Sequence, residues 1–316
     1  MIIIDRIYGK FKINEPVLIE LIKSRPVQRL KKISQFGIPN EYYFVKGFSR
    51  FEHSIGVMIL LKKLNASLEE QVAGLLHDVS HYAFSHVADW VLDNIEKEDF
   101  QDTILADFIN KSEIKPILTK YNLDYKKIAD LPHYKILERD VPELCADRLD
   151  YVFREFEIWS NRKNLDYCLS HLNISDETII FTNKRAAQIL GRFFITCQIK
   201  NWTSLNATRA YHFFSNLLKQ ALTKGIISMD DFLADEETII KKLAKAKDRE
   251  LIELFENFKG QRYLKQSINL KILKKIRYAD PKYLSHSKIM ELSQTDPKFI
   301  ESINKLVADN KKGVWI

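Results

Sequence analysis

The chain has 316 residues, 46% hydrophobic and 29% charged, so it can bury a large core, and its length predicts about two domains. Nine glycines and eight prolines are too few for an all-β protein built on tight turns, and no apolar run reaches the roughly eighteen residues of a membrane span. A net charge of +7 suits a polyanionic ligand, from nucleotide to nucleic acid, and three cysteines without C-x-x-C spacing suit a reduced, cytoplasmic protein.

The opening "MIIIDRIYGKFKI" becomes charged too soon for a secretion signal and reads as β structure. Helical apolar spacing follows in "EHSIGVMILLKKL" (52–64), "EEQVAGLLHDV" (69–79) and "HVADWVLDNI" (86–95). It returns in "VPELCADRLDYVFREFEIW" (141–159) and "KRAAQILGRFFITCQIKNW" (184–202). Between the last two, "SDETIIFT" (175–182) alternates like a strand or hairpin. A cap in "SMDDFL" (228–233) starts a charged series of shorter helices, and "LKKIRYADP" (273–281) reads as β. The predicted fold is mostly α: a helical bundle over residues 1–225 with small peripheral β elements, then a C-terminal helical lobe over 226–316.

Histidines are unevenly placed. "LLHDVSHYAFSH" (75–86) holds three of the eight, and His53 precedes it in "RFEHSIGV". His77 and Asp78 stand near the end of one predicted helix, about 100° apart, so both reach an ion placed off that end. An imidazole with a carboxylate and no thiolate suits a divalent first-row metal. The short link "NASLE" makes the His53 helix an antiparallel neighbour of the His77 helix. Asp147 in "CADRLDY" is the best later carboxylate, since its apolar surroundings demand a partner. His81 lies four residues after His77 and shares its face if the helix continues. His86 and Asp89 are three apart, so the carboxylate can orient the ring.

"RFEHSIGV", "LLHDVSHYAFSH" and "CADRLDYVFRE" together resemble the HD-domain phosphohydrolases. The likeness is to the deoxynucleoside triphosphate triphosphohydrolase branch, with its bacterial dGTPases and vertebrate SAM-and-HD-domain enzymes. It runs from "PVQRLKKISQFG" (26–37) to "ATRAYHFF" (207–214), with the HD motif itself at 50–151, and no SAM domain follows. The resemblance implies a divalent metal (Mn, Mg, Fe, Ni, Co or Zn) on His53, His77, Asp78 and Asp147. It implies His81, His86 and Asp89 as catalytic groups along the phosphate path, with His86 protonating the leaving oxygen. Gln35, Arg50, Arg148, Tyr151, Arg209 and Tyr211 match its substrate-contacting positions. A nucleotide substrate, hydrolysed to deoxynucleoside and tripolyphosphate, and a homo-oligomer are the further implications. The aromatics of "LGRFFITCQIKNW", spread around a helix, also fit an oligomer.

Two departures stand out. The family carries a His-Glu pair on the helix after the second histidine, whereas "EDFQDTILADFI" (98–109) puts Leu105 and Ala106 there. A slower hydrolase, or a substrate with fewer phosphates, is therefore expected, with Glu98 or Asp102 as substitute acids. At "SRPVQ" (24–28) no acidic residue stands where allosteric members read an activating guanine nucleotide.

Overall fold

A computed structural model describes residues 1–316. The His53 helix, Arg50–Lys63, starts where Ser49 and Glu52 form a reciprocal cap. It ends at Leu64 and Asn65, the latter at φ 57°. Ser67 caps the following helix, Leu68–Leu76, which packs against it as its neighbour. Gly74 permits that contact, since a Cβ there would meet Leu61 Cδ1 at 2.3 Å. The Asp147 helix, Ala146–Trp159, lies along the other side. Gly56 sets that approach: a Cβ there would fall 2.0 Å from Asp150 Oδ1 and 2.1 Å from Arg154 Nη2.

Strand pairing is confined to small sheets. Ile2–Asp5 pairs antiparallel with Gly9–Lys12, and the expected hairpin forms from Leu172–Ser175 and Thr178–Phe181. The hairpin joins a second one, Lys282–Ser285 with Lys288–Glu291, through a parallel contact of Ile180 with Lys282. The "LKKIRYADP" region is not itself a strand but lies between two, Lys271–Ile272, paired to Val314–Trp315, and Lys282–Ser285. Residues 273–281 are irregular backbone, because their partners are side chains and loops rather than a neighbouring strand.

Residue 225 does not divide the core. One apolar cluster runs from Ile7 through Phe153 and Phe194 to Leu292 and Phe299. A second joins Phe36, Trp90 and Phe214 to Phe255, Tyr263 and Ile316. Both draw on residues before and after 225, so the C-terminal residues, expected as a separate lobe, pack into the same apolar clusters as the bundle. Phe193 and Phe194 are buried within it, which uses the aromatics that suggested a subunit interface. No helix is long and apolar enough to cross a membrane.

Candidate metal centre and adjoining cavity

Three helices bring the four expected ligands together. His53 projects from the first, His77 closes the second at its C-cap, Asp78 follows in the turn, and Asp147 lies in the first turn of the third. His53 Nε2 is 2.8 Å from Asp147 Oδ1 and 3.2 Å from His77 Nε2. His77 Nε2 is 3.4 Å from Asp147 Oδ1 and 3.5 Å from Asp78 Oδ1, and Asp78 Oδ2 is 3.7 Å from His53 Nε2. Ligands bound at about 2.1 Å in tetrahedral or octahedral geometry stand roughly 3.0–3.4 Å apart. The spacing therefore fits a shared cation.

The outer nitrogens support the same conclusion. His77 Nδ1 donates to Gly74 O at 2.8 Å, and His53 Nδ1 donates to Asp150 Oδ2 at 2.8 Å. Each ring thereby turns its Nε2 inward, the atom a metal would take in exchange for a proton. Asp150 is held in turn by Arg154 Nε at 2.7 Å and Tyr8 OH at 2.9 Å, and Arg154 also binds Asp5 at 2.8 Å. Burial disfavours charge on His77, yet Asp78 and Asp147 outweigh it and push its pKa up to about 10. Burial likewise opposes ionisation of Asp78, but Arg50 and His77 hold it well below the usual carboxylate range. Such a cluster of carboxylates favours an added positive charge.

Arg50 has a different role from the one expected. It is buried, and its Nη1 donates to Asp78 Oδ2 at 2.7 Å while Nε donates to Ser85 Oγ at 3.0 Å. It thus fixes a metal ligand, and only its Nη2, which has no partner, remains to meet a substrate. His81 does not share a helical face with His77, because the helix stops at Leu76 and a run of turns follows. It approaches Asp78 Oδ1 at 3.2 Å through that turn instead. Burial, followed by the charge of Arg50, lowers its pKa to about 3, so its ring is neutral. His86 Nδ1 donates to Asp89 Oδ2 at 3.1 Å, the predicted pair. Its ring stands 5.4 Å from that of His81 and opens onto a cavity.

That cavity is about 80 Å³ and adjoins the ligand cluster at His86 and Tyr151. Of the expected substrate contacts, Gln35, Tyr151 and Tyr211 line it, with Phe36, Tyr43 and Trp202 adding aromatic wall. Gln35 Oε1 is buried without a partner, whereas Tyr211 OH donates to Phe36 O at 2.9 Å. Arg148 is not on this cavity. Its guanidinium is tied to Glu143 O at 2.6 Å and Glu138 Oε1 at 3.2 Å. Arg209 is likewise turned away and donates to Leu264 O at 2.7 Å, because the last third of the chain packs where a ligand was expected.

At the two positions where the His-Glu pair is missing, Leu105 is in the core and Ala106 is exposed. Glu98 enters the cavity but pairs with Arg277 at 2.6 Å, which overcomes burial and holds its pKa near 2. Asp102 is exposed and does not line the cavity; partial desolvation and the charge of Asp78 raise its pKa to about 6. Sequence reasoning also missed Glu155, Asn201, Lys274 and Arg277, all on the cavity wall. Glu155 lies two turns beyond Asp147 and one turn beyond Tyr151 on the same helix, which was its available signal. Lys274 and Arg277 had none among so many basic residues.

Comparison with known proteins agrees with this geometry. The family model "HD domain" matches residues 50–155, the span that carries all four candidate ligands. The chain is 35% identical to the uncharacterized protein YdhJ of Bacillus subtilis over 100% of its own length and 98% of that relative. It is 37% identical to "Metal-dependent phosphohydrolase cns2" of Cordyceps militaris over 49% of this chain and 45% of the relative. Human "Deoxynucleoside triphosphate triphosphohydrolase SAMHD1" is 32% identical over 39% of this chain and 23% of its own.

Proposed function

The chain belongs to the HD-domain family, and from that premise we propose that it is a metal-dependent phosphohydrolase acting on nucleotides. Its proposed reaction splits a deoxynucleoside triphosphate and water into deoxynucleoside and tripolyphosphate. The observation that carries the reading is the convergence of two inward Nε2 atoms and two carboxylates beside an aromatic cavity entered through His86. The names of cns2 and SAMHD1 support hydrolysis, and the second supports the substrate.

His53, His77, Asp78 and Asp147 would hold a divalent cation, which would supply Lewis acidity toward a water and a phosphate oxygen. The chain's own groups do the rest. Arg50 keeps Asp78 aimed at the ligand cluster and leaves the two N–H groups of its Nη2 for a phosphate oxygen. His86, oriented by Asp89, gives its proton to the departing 5′ oxygen. Tyr151, Tyr211 and Gln35 bind sugar and base from the cavity wall.

One observation favours a second reading. A cavity of about 80 Å³ is far smaller than the several hundred Å³ that usually enclose a ligand of this size. A nucleoside triphosphate enters only if wall residues move, whereas a monophosphate asks for less movement. The deciding experiment strips the protein with chelator and reloads it with Mn²⁺, Mg²⁺ or Co²⁺. It then follows products from deoxynucleoside tri-, di- and monophosphates by chromatography. Tripolyphosphate release supports the first reading and orthophosphate from monophosphates the second. Binding without turnover on every metal points to a nucleotide- or nucleic-acid-binding protein.

A further inference from the structure

Residues 273–281 cross the cavity as a strap without regular structure, between the short strand Lys271–Ile272 and the strand Lys282–Ser285. Several contacts pin it. Asn310 Nδ2 donates to Lys274 O at 3.0 Å, Arg277 N to Gln198 Oε1 at 3.2 Å, and Asp280 N to Pro142 O at 2.9 Å. The strap turns two cations inward, Lys274 and Arg277. Arg277 is neutralised by Glu98 at 2.6 Å. Lys274 has no carboxylate of its own: Glu98, which it also feels across the cavity, is already bound to Arg277, so two cations share one acid. Lys274 is 7% exposed, and its ammonium forms no ion pair or hydrogen bond within the protein. It rests on the faces of Tyr211, 4.4 Å from the ring centroid, and Trp90, at 5.3 Å.

Aromatic faces recover only part of what an ammonium loses on leaving water, and buried lysines are normally paired. The missing partner is therefore an anion. Lys274 also borders a groove with Lys305 and Asn310. The aromatic faces that hold its ammonium, however, include Tyr211, which belongs to the cavity wall it shares with His86, and that cavity is where the anion is placed. Burial lowers the Lys274 pKa to about 8, so the ammonium is still the major form at neutral pH. We propose that Lys274 is an oxyanion-binding residue that takes a phosphate group of the substrate or product, delivered by the C-terminal strap. The inference rests on the phosphohydrolase reading and adds to it that residues 273–281 are part of the site.

The test is calorimetric binding of inorganic tripolyphosphate to the full-length chain in EDTA and moderate salt. The variants are Lys274→Met, Lys274→Arg and, as an exposed control, Lys298→Met. Loss of one charge-assisted contact weakens binding about ten- to a hundredfold. That loss is expected in Lys274→Met, with Lys274→Arg and Lys298→Met near wild type. Equal affinity in Lys274→Met and wild type overturns the proposal. If Lys274→Met does not fold, wild-type crystals soaked in tungstate replace it. Tungstate against Nζ supports the assignment, and an empty cavity contradicts it. Hydrolysis of nucleotides by wild type is measured separately. Anion binding that needs Lys274 in a protein that hydrolyses nothing refutes the phosphohydrolase reading alone. Active enzyme with unchanged anion binding and KM in Lys274→Met refutes the Lys274 assignment alone.

Discussion

The Nε2 atoms of His53 and His77 face each other at 3.2 Å, while the Nδ1 atom of each ring is engaged by Asp150 or by Gly74 O. Two Nε2 atoms so directed, with Asp78 and Asp147 beside them, form a site that a cation completes. Asp150 touches none of the expected metal's coordination positions directly but sets the tautomer of His53. Asp150→Asn is expected to weaken metal binding about ten- to a hundredfold. His77→Ala combined with Asp78→Ala is expected to abolish it. Competition with a fluorescent chelator measures both, and unchanged affinity in Asp150→Asn removes that residue from the account.

Gly56 offers a test that leaves every ligand in place. A Cβ there would lie 2.0 Å from Asp150 Oδ1, so Gly56→Ala must push the Asp147 helix away or break the Asp150–Arg154 pair. Overpacking of a tight core costs about 1–3 kcal/mol. The expected result is a lower melting temperature together with weaker metal affinity. Loss of stability at unchanged metal affinity would mean that Gly56 serves packing alone.

His86 is separable from the metal. His86→Ala is expected to reduce kcat about a hundred- to ten-thousandfold with metal content unchanged, and Asp89→Asn less, since it orients the ring only. A His86→Ala enzyme with full activity would shift the proton-donating role to another group.

Glu155 gives a pH signature. Its carboxylate accepts from Trp202 Nε1 at 2.7 Å and Trp159 Nε1 at 3.2 Å, and burial pushes its pKa up to about 7 despite those donors. The folded pKa exceeds the unfolded one, so between about pH 4.5 and 7 the native state holds more protons. Stability from this group therefore declines as pH rises through that window, by on the order of 3 kcal/mol. Thermal melts from pH 4.5 to 8 are expected to fall more steeply for wild type than for Glu155→Gln. Parallel curves would contradict the assignment.

The four candidate ligands could be picked out as a combination, and the structure brings them together. A His-Asp dipeptide alone says little; with a histidine one helix earlier and an acid among apolar neighbours it matches the pattern of the family it resembles. The helices around them were legible from apolar spacing, and the structure adds the caps at Ser49 and Ser67 that start two of them. The arginines were not. Arg50, Arg148 and Arg209 look alike in sequence, yet one holds a ligand carboxylate and two bind main-chain carbonyls elsewhere. Long side chains have several partners in reach, and only the packing selects one. Lys274 was hidden for the same reason, as one of several basic residues on an irregular strap whose place is set by contacts with Gln198, Asn310 and Pro142.

The most direct test of a metal-dependent phosphohydrolase is the initial rate of nucleotide hydrolysis by chelator-stripped protein titrated with Mn²⁺. The rate is expected to rise from background and level off near one equivalent of metal per chain, and to stay at background in Asp78→Ala. Stripped protein as active as loaded protein, or no turnover with Mn²⁺, Mg²⁺ or Co²⁺, would contradict the account.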